Sequence, residues 1–152
     1  RLLMMRVKSH FYMEQVITEN KHLKIIGIIL FTFTSLMISS QPKVYFINIE
    51  DGDSLESPFL VQFGLSNMGI APAGIDKANT GHHHLLIDVE DINFNMPIPS
   101  SSNHIHFGGG QTETLVTLSP GEYSLQLLVG DKFHIPHNPP VISEKIKVTI
   151  TR

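Results

Sequence analysis

From Lys43 onward, apolar residues fall in short runs separated by turn formers, and no stretch carries the three-to-four-residue period of a capped helix. Lys43–Ile49 (KVYFINI) is rich in β-branched and aromatic residues and ends at Asp51-Gly52-Asp53, a turn signal. Pro58–Leu65 and His83–Val89 read as two further strands, separated by a long loop over Asn67–Gly81. A second loop, Asp91–Asn103, carries Pro97, Pro99 and three consecutive serines. Gln111–Leu118, the turn Ser119-Pro120-Gly121 and Glu122–Val129 read as a hairpin. In Val141–Thr151, Ile146, Val148 and Ile150 alternate with Lys145, Lys147 and Thr149, the pattern of a half-buried strand. Six or seven short strands with Gly/Pro turns predict an all-β domain over residues 43–152, an antiparallel immunoglobulin-like β-sandwich.

The pattern changes at the amino-terminal end. Ile25–Ile38 reads IIGIILFTFTSLMI, preceded by Lys21, His22 and Lys24 and followed by Ser39, Ser40 and Gln41. A positive flank, a short apolar helical segment and small residues after it describe a secretory signal peptide. The run is shorter than the roughly 20 residues a membrane-spanning helix needs, so an uncleaved anchor is the alternative. Residues 1–40 are therefore expected to be an extension that exports the domain to the periplasm or beyond, with a membrane tether through residues 25–38 if it is retained.

Composition narrows the partners. The chain of 152 residues has a formal net charge of −3, which argues against nucleic acid, where Lys and Arg must neutralise phosphates. Hydrophobic residues make up 41%, enough to bury a core. Cysteine is absent, which excludes disulfides, thiolate metal sites and cysteine nucleophiles. The unusual count is nine histidines. Seven of them lie between His82 and His137.

They form three clusters: His82-His83-His84, His104-Ile105-His106 and His134-Ile135-Pro136-His137. On an extended chain His82 and His84 share one face and His83 points the other way; His104 and His106 likewise share a face. Two imidazoles two residues apart stand about 6–7 Å apart at Cβ, close enough to hold one ion between them. The third cluster lies in a proline-bounded loop. His82, His84, His104, His106, His134 and His137 are accordingly the candidate metal ligands, and copper is the expected ion, with zinc as the alternative. Met68 and Met96 sit in loops near two clusters, and a thioether ligand favours Cu(I). Against this stands the plainer reading that loop histidines hydrogen-bond backbone carbonyls; three clusters in one small domain favour a metal.

Other motifs are weaker. Gly108-Gly109-Gly110 precedes a strand rather than a helix, which disfavours a phosphate cradle and favours a tight bend that helps set His106. Asp88, Glu113 and Asp131 are candidate acids, bases or ring-orienting groups. No nucleophile elbow and no HExxH helix occurs.

Several strings resemble a bacterial family of unknown function numbered 4399: Val44-Tyr45-Phe46, Ser57-Pro58-Phe59, Met68-Gly69, Ala71-Pro72-Ala73-Gly74, Asn79 to Asp88 (NTGHHHLLID), His104 to Glu113 (HIHFGGGQTE), and Pro136-His137 with Pro139-Pro140-Val141. The resemblance runs from about Val44 to Ile150 and implies an exported protein, but no chemistry. In the Gly-Asp-x-x-His stretch, where relatives often carry His or Asn, this chain has Lys132 and Phe133. Three functions follow in order: a metal-binding domain acting as carrier or buffer, an interaction module with structural histidines, and a metal-dependent enzyme, for which no residue specifies a substrate.

Overall fold

The computed structural model describes residues 40–151. The expected signal or anchor segment, 25–38, lies outside the described residues. Within them there is no helix, and so none long and apolar enough to cross a membrane.

Nine strands form two sheets: β1 (Lys43–Phe46), β2 (Ser54–Leu55), β3 (Phe59–Ser66), β4 (Gly69–Ile70), β5 (Thr80–Ile87), β6 (His104–His106), β7 (Glu113–Val116), β8 (Gly121–Gly130) and β9 (Ile146–Ile150). The smaller sheet has the order β1-β3-β7. The larger runs β2-β9-β8-β5-β4, with β6 also paired to β5. The all-β expectation holds. The wholly antiparallel one needs correction, because β2 pairs with β9 and β4 with β5 in parallel, over two residues each.

The expected 111–129 hairpin is also corrected. β7 pairs with β3, whereas β8 pairs with β5 and β9, so the chain crosses from one sheet to the other at the Ser119-Pro120-Gly121 turn. A turn signal marks where the chain reverses; which edge the next strand finds depends on non-local pairing, and Val116 and Leu125 both reach the core from different sheets. Two 2-residue strands, β2 and β4, are too short to show any periodicity.

The inner faces meet in one apolar cluster. Val44, Val61, Phe63 and Val116 come from the small sheet, and Leu85, Ile87, Leu125, Leu127, Val129, Val148 and Ile150 from the large one. The alternation read in the last strand is kept, with Val148 and Ile150 inside and Lys147 and Thr149 out. On the opposite face of the large sheet, Leu86 and Leu128 pack beneath the loop over 89–103 with Val89 and Ile98. Strand β5 is therefore covered on both faces, and all its residues from Gly81 to Ile87 are buried.

Leu127 is fully buried at the centre of the main cluster, whereas Leu115 is 68% exposed. Leu127→Ala should destabilise the chain by about 2–5 kcal/mol through lost burial and the remaining cavity, and Leu115→Ala by less than about 0.5 kcal/mol. Denaturant unfolding of both variants reads the difference, and equal effects would contradict this core.

Candidate metal centre

The site stands on the outer face of the large sheet. Because β5 is extended, His82 and His84 project to the same side, the side of Leu86 and Leu128, while His83 and Leu85 turn inward. Antiparallel pairing then sets His106 of β6 directly opposite His84. Donor nitrogens of His82, His84 and His106 all lie within 4.8 Å of one another. His82 and His84 are fully buried, and His106 is half-buried.

A fourth ring arrives from the loop after β8. His134 stands 5.0 Å from His82, 6.0 Å from His84 and 4.6 Å from His106 between ring centroids. Its Nε2 is 3.1 Å from Nε2 of His106, and the Nε2 atoms of His84 and His82 are also 3.1 Å apart. The loop is built to present it. The Asp131 carboxylate accepts from the backbone N–H groups of Phe133 and Ile135, the His134 N–H donates to the Asp131 carbonyl, and the His134 carbonyl accepts from Ile98 N–H. His134 itself adopts φ +67°, in the left-handed region where His, Asn and Asp are the enriched non-glycine residues.

Two glycines make room for these rings. A Cβ on Gly108 would lie 2.6 Å from His106 Nε2, and one on Gly130 would lie 3.0 Å from His84 Nε2 and 3.3 Å from the His134 Cα. Gly108, the first of the glycine run after His106, is thus the clearance for that ring. Gly130, which faces His82 in the β5–β8 ladder, carried no sequence signal of this role.

The His82, His84 and His106 donors lie close enough together to share one ion, and the His134 ring stands beside them. Four imidazole nitrogens arranged tetrahedrally at ~2.0–2.1 Å from a metal stand roughly 3.3 Å apart, with ring centroids about 5.2 Å apart. The six centroid separations here run from 4.6 to 6.0 Å. A square-planar set needs two long trans pairs. Only His84–His134 is long, and the complementary pair His82–His106 is 5.0 Å apart.

Burial disfavours the charged form of His82, His84 and His106. Burial, then the neighbouring His106 and His134, push His82 down to about 4. Burial, then His82, His106 and His134, push His84 down to about 3. Burial and His134 also lower His106. Neutral imidazoles keep a lone pair for a ligand. Nδ1 of His82 and of His84 are buried without a hydrogen-bond partner, as are Nε2 of His83 and of His137 outside the cluster.

The six candidate histidines do not share one sphere. His104 lies one step along β6, opposite Leu86, where Nδ1 contacts Ser101 Oγ at 3.1 Å beside a largely apolar cleft of about 260 Å³. His137 lies against Gly81, whose added Cβ would meet its Nε2 at 2.9 Å, and it makes none of the ring contacts of the four. His83 faces the core against Phe63, with Nδ1 3.4 Å from the Gln111 carbonyl. The methionine argument weakens: Met68 packs against the main core and Met96 is 57% exposed. The carboxylates act elsewhere. Asp88 accepts from Ser124 N–H, Glu113 accepts from Gln62, and Asp131 shapes the His134 loop.

No curated protein and no solved structure matches the chain. Residues 61–151, which carry β4 to β9 and all four convergent histidines, match the family described as Domain of unknown function (DUF4399), and the chain belongs to that family.

Proposed function

We propose that this domain binds a single transition-metal ion through His82, His84 and His106, with His134 beside them, and serves outside the cytoplasm as a metal carrier or buffer. The observation that carries the reading is the convergence of the His82, His84 and His106 donor nitrogens within 4.8 Å of one another, on rings whose charged form burial disfavours. Copper is the proposed ion and zinc the alternative. A near-tetrahedral, all-nitrogen donor set suits the closed-shell ions Zn(II) and Cu(I). The export part of the proposal rests on the apolar segment 25–38 and its basic flank. A carrier is favoured over an enzyme because Asp88, Glu113 and Asp131 are each engaged in fold-building hydrogen bonds. We describe the two sheets as an immunoglobulin-like sandwich on the same proposed footing.

Titration of the purified chain with Cu(I), Cu(II) and Zn(II) should give one ion per chain. His84→Asn should weaken it by more than the roughly 10–100-fold that loss of a supporting group costs. Equal affinity in the two proteins sinks the metal reading and leaves the histidines structural.

Gly108→Ala leaves every histidine in place but displaces the His106 ring. It should lower affinity by roughly 10-fold or more, as other changes that disorient a ligand do. Isothermal titration reads this, and unchanged affinity removes His106 from the site.

The pH dependence has a definite sign. His82 and His84 ordinarily titrate near 6.5 but here near 4 and 3, so between those values the unfolded chain binds protons that the folded one refuses. Stability of the metal-free chain is therefore full above pH 6.5 and falls as pH drops towards 4 and then 3. Thermal melts across that range should show the loss, with a shallower slope in His84→Asn; a flat profile for the parent chain contradicts the buried neutral pair.

A further inference from the structure

The four converging rings are not held alike. His82 and His84 belong to the central strand, fully buried and fixed by the β5–β8 ladder. His106 is tied to β5 by antiparallel pairing and seated by the gap at Gly108. His134 has no ladder. It sits on a loop turn closed by its own N–H to the Asp131 carbonyl and by the Phe133 and Ile135 N–H groups on the Asp131 carboxylate, and joined to neighbouring loops by Ile98 N–H on its own carbonyl and Gly74 N–H on the Lys132 carbonyl. Its backbone is left-handed, its neighbour Phe133 is 62% exposed, and the loop's ion pair, Lys132–Asp76, lies at the surface.

Resting on the metal reading above, we infer that the site divides into a fixed tripod, His82, His84 and His106, and one exchangeable ligand, His134, whose loop opens to admit and release the ion. The burial gradient gives the direction. His82 and His84 are fully buried, His106 and His134 are half-buried, and of these last two only His134 lies outside a strand. Opening breaks one metal–nitrogen bond. The His134 lone pair is then solvated, and the vacated position accepts a lone pair from an incoming ligand with no change in oxidation state. Opening needs only the half-buried His134 ring to leave the cluster, whereas the His82 and His84 rings are fully buried on a strand paired along both edges. Such a site hands its metal on by ligand exchange and differs from a closed structural site, where every ligand is equally fixed.

The full chain loaded with Co(II) tests this, since cobalt reports coordination number in its visible spectrum and takes the same ligands as zinc. The wild-type chain should show the intense bands of a four-coordinate ion and no response to added imidazole or azide. His134→Gly suits the positive φ and leaves a ring-sized gap. It should still bind one Co(II), show altered bands that free imidazole at millimolar concentration restores, and lose metal to a chelator at least tenfold faster until imidazole is added. His134→Asn, also compatible with a left-handed backbone, should lose metal faster as well and respond to azide. His84→Asn should bind poorly, with no imidazole rescue. A wild-type spectrum and release rate in His134→Gly overturns the fourth-ligand role while the three-histidine site survives. Complete loss of metal in both His134 variants, with folding intact by circular dichroism, overturns the division of labour. Absence of Co(II) binding by the wild-type chain defeats the metal reading itself.

Discussion

The double burial of β5 is the constraint from which the rest of the molecule follows. This strand is hydrogen-bonded along both edges, to β8 on one side and to β4 and β6 on the other. It is covered on one face by the smaller sheet and on the other by the loops over 89–103 and 131–143. A strand so placed normally reads as a continuous apolar run. Here the run is GHHHLLI, with imidazoles in place of aliphatic side chains at three successive buried positions.

That substitution is expensive in water-to-protein terms. Each buried polar atom left without a partner costs about 1–3 kcal/mol, and Nδ1 of His82, Nε2 of His83 and Nδ1 of His84 are all in that position. The apolar side of the sheet supplies the compensation. Leu85, Leu125, Leu127 and Val129 share the same strands and are completely buried a residue away from the rings. Stability and site are thereby separated by the pleat: odd-numbered positions of β5 hold the sheets together, and even-numbered positions face the outer cluster.

Much of this was legible in the chain. Period-two reasoning placed His82 and His84 on one face and His83 on the other, and the HIH string put His106 with them. Strand existence was recoverable wherever apolar residues alternate or cluster, as at Phe59–Ser66 and Ile146–Ile150. Sheet membership was not, because which edge β7 and β8 join is decided by distant partners and not by the Ser-Pro-Gly turn. The same limit explains His104 and His137. His104 shares a face with His106, but register sets it opposite Leu86, so it faces the apolar cleft. His137 sits only three residues after His134, yet the bridge between Gly130 and Pro136 turns the chain before it can reach the cluster.

The choice among metals follows from how rigidly the rings are placed. Three of them are fixed by the ladder at positions that leave no room for a flat four-membered set, because His82, His84 and His106 are mutually about equidistant at 4.9–5.0 Å. Three equidistant donors form the base of a tetrahedron, and a square-planar ion forces one pair apart. Flattening the set requires moving His84 or His106 along paired strands, against the β5–β6 hydrogen bonds and the close packing at Gly108 and Gly130. Under the proposed metal reading, such a set would disfavour Cu(II) in its preferred tetragonal geometry and suit Cu(I) or Zn(II). Strand register, through the β5–β6 pairing that sets His106 opposite His84, is the element that would impose that preference.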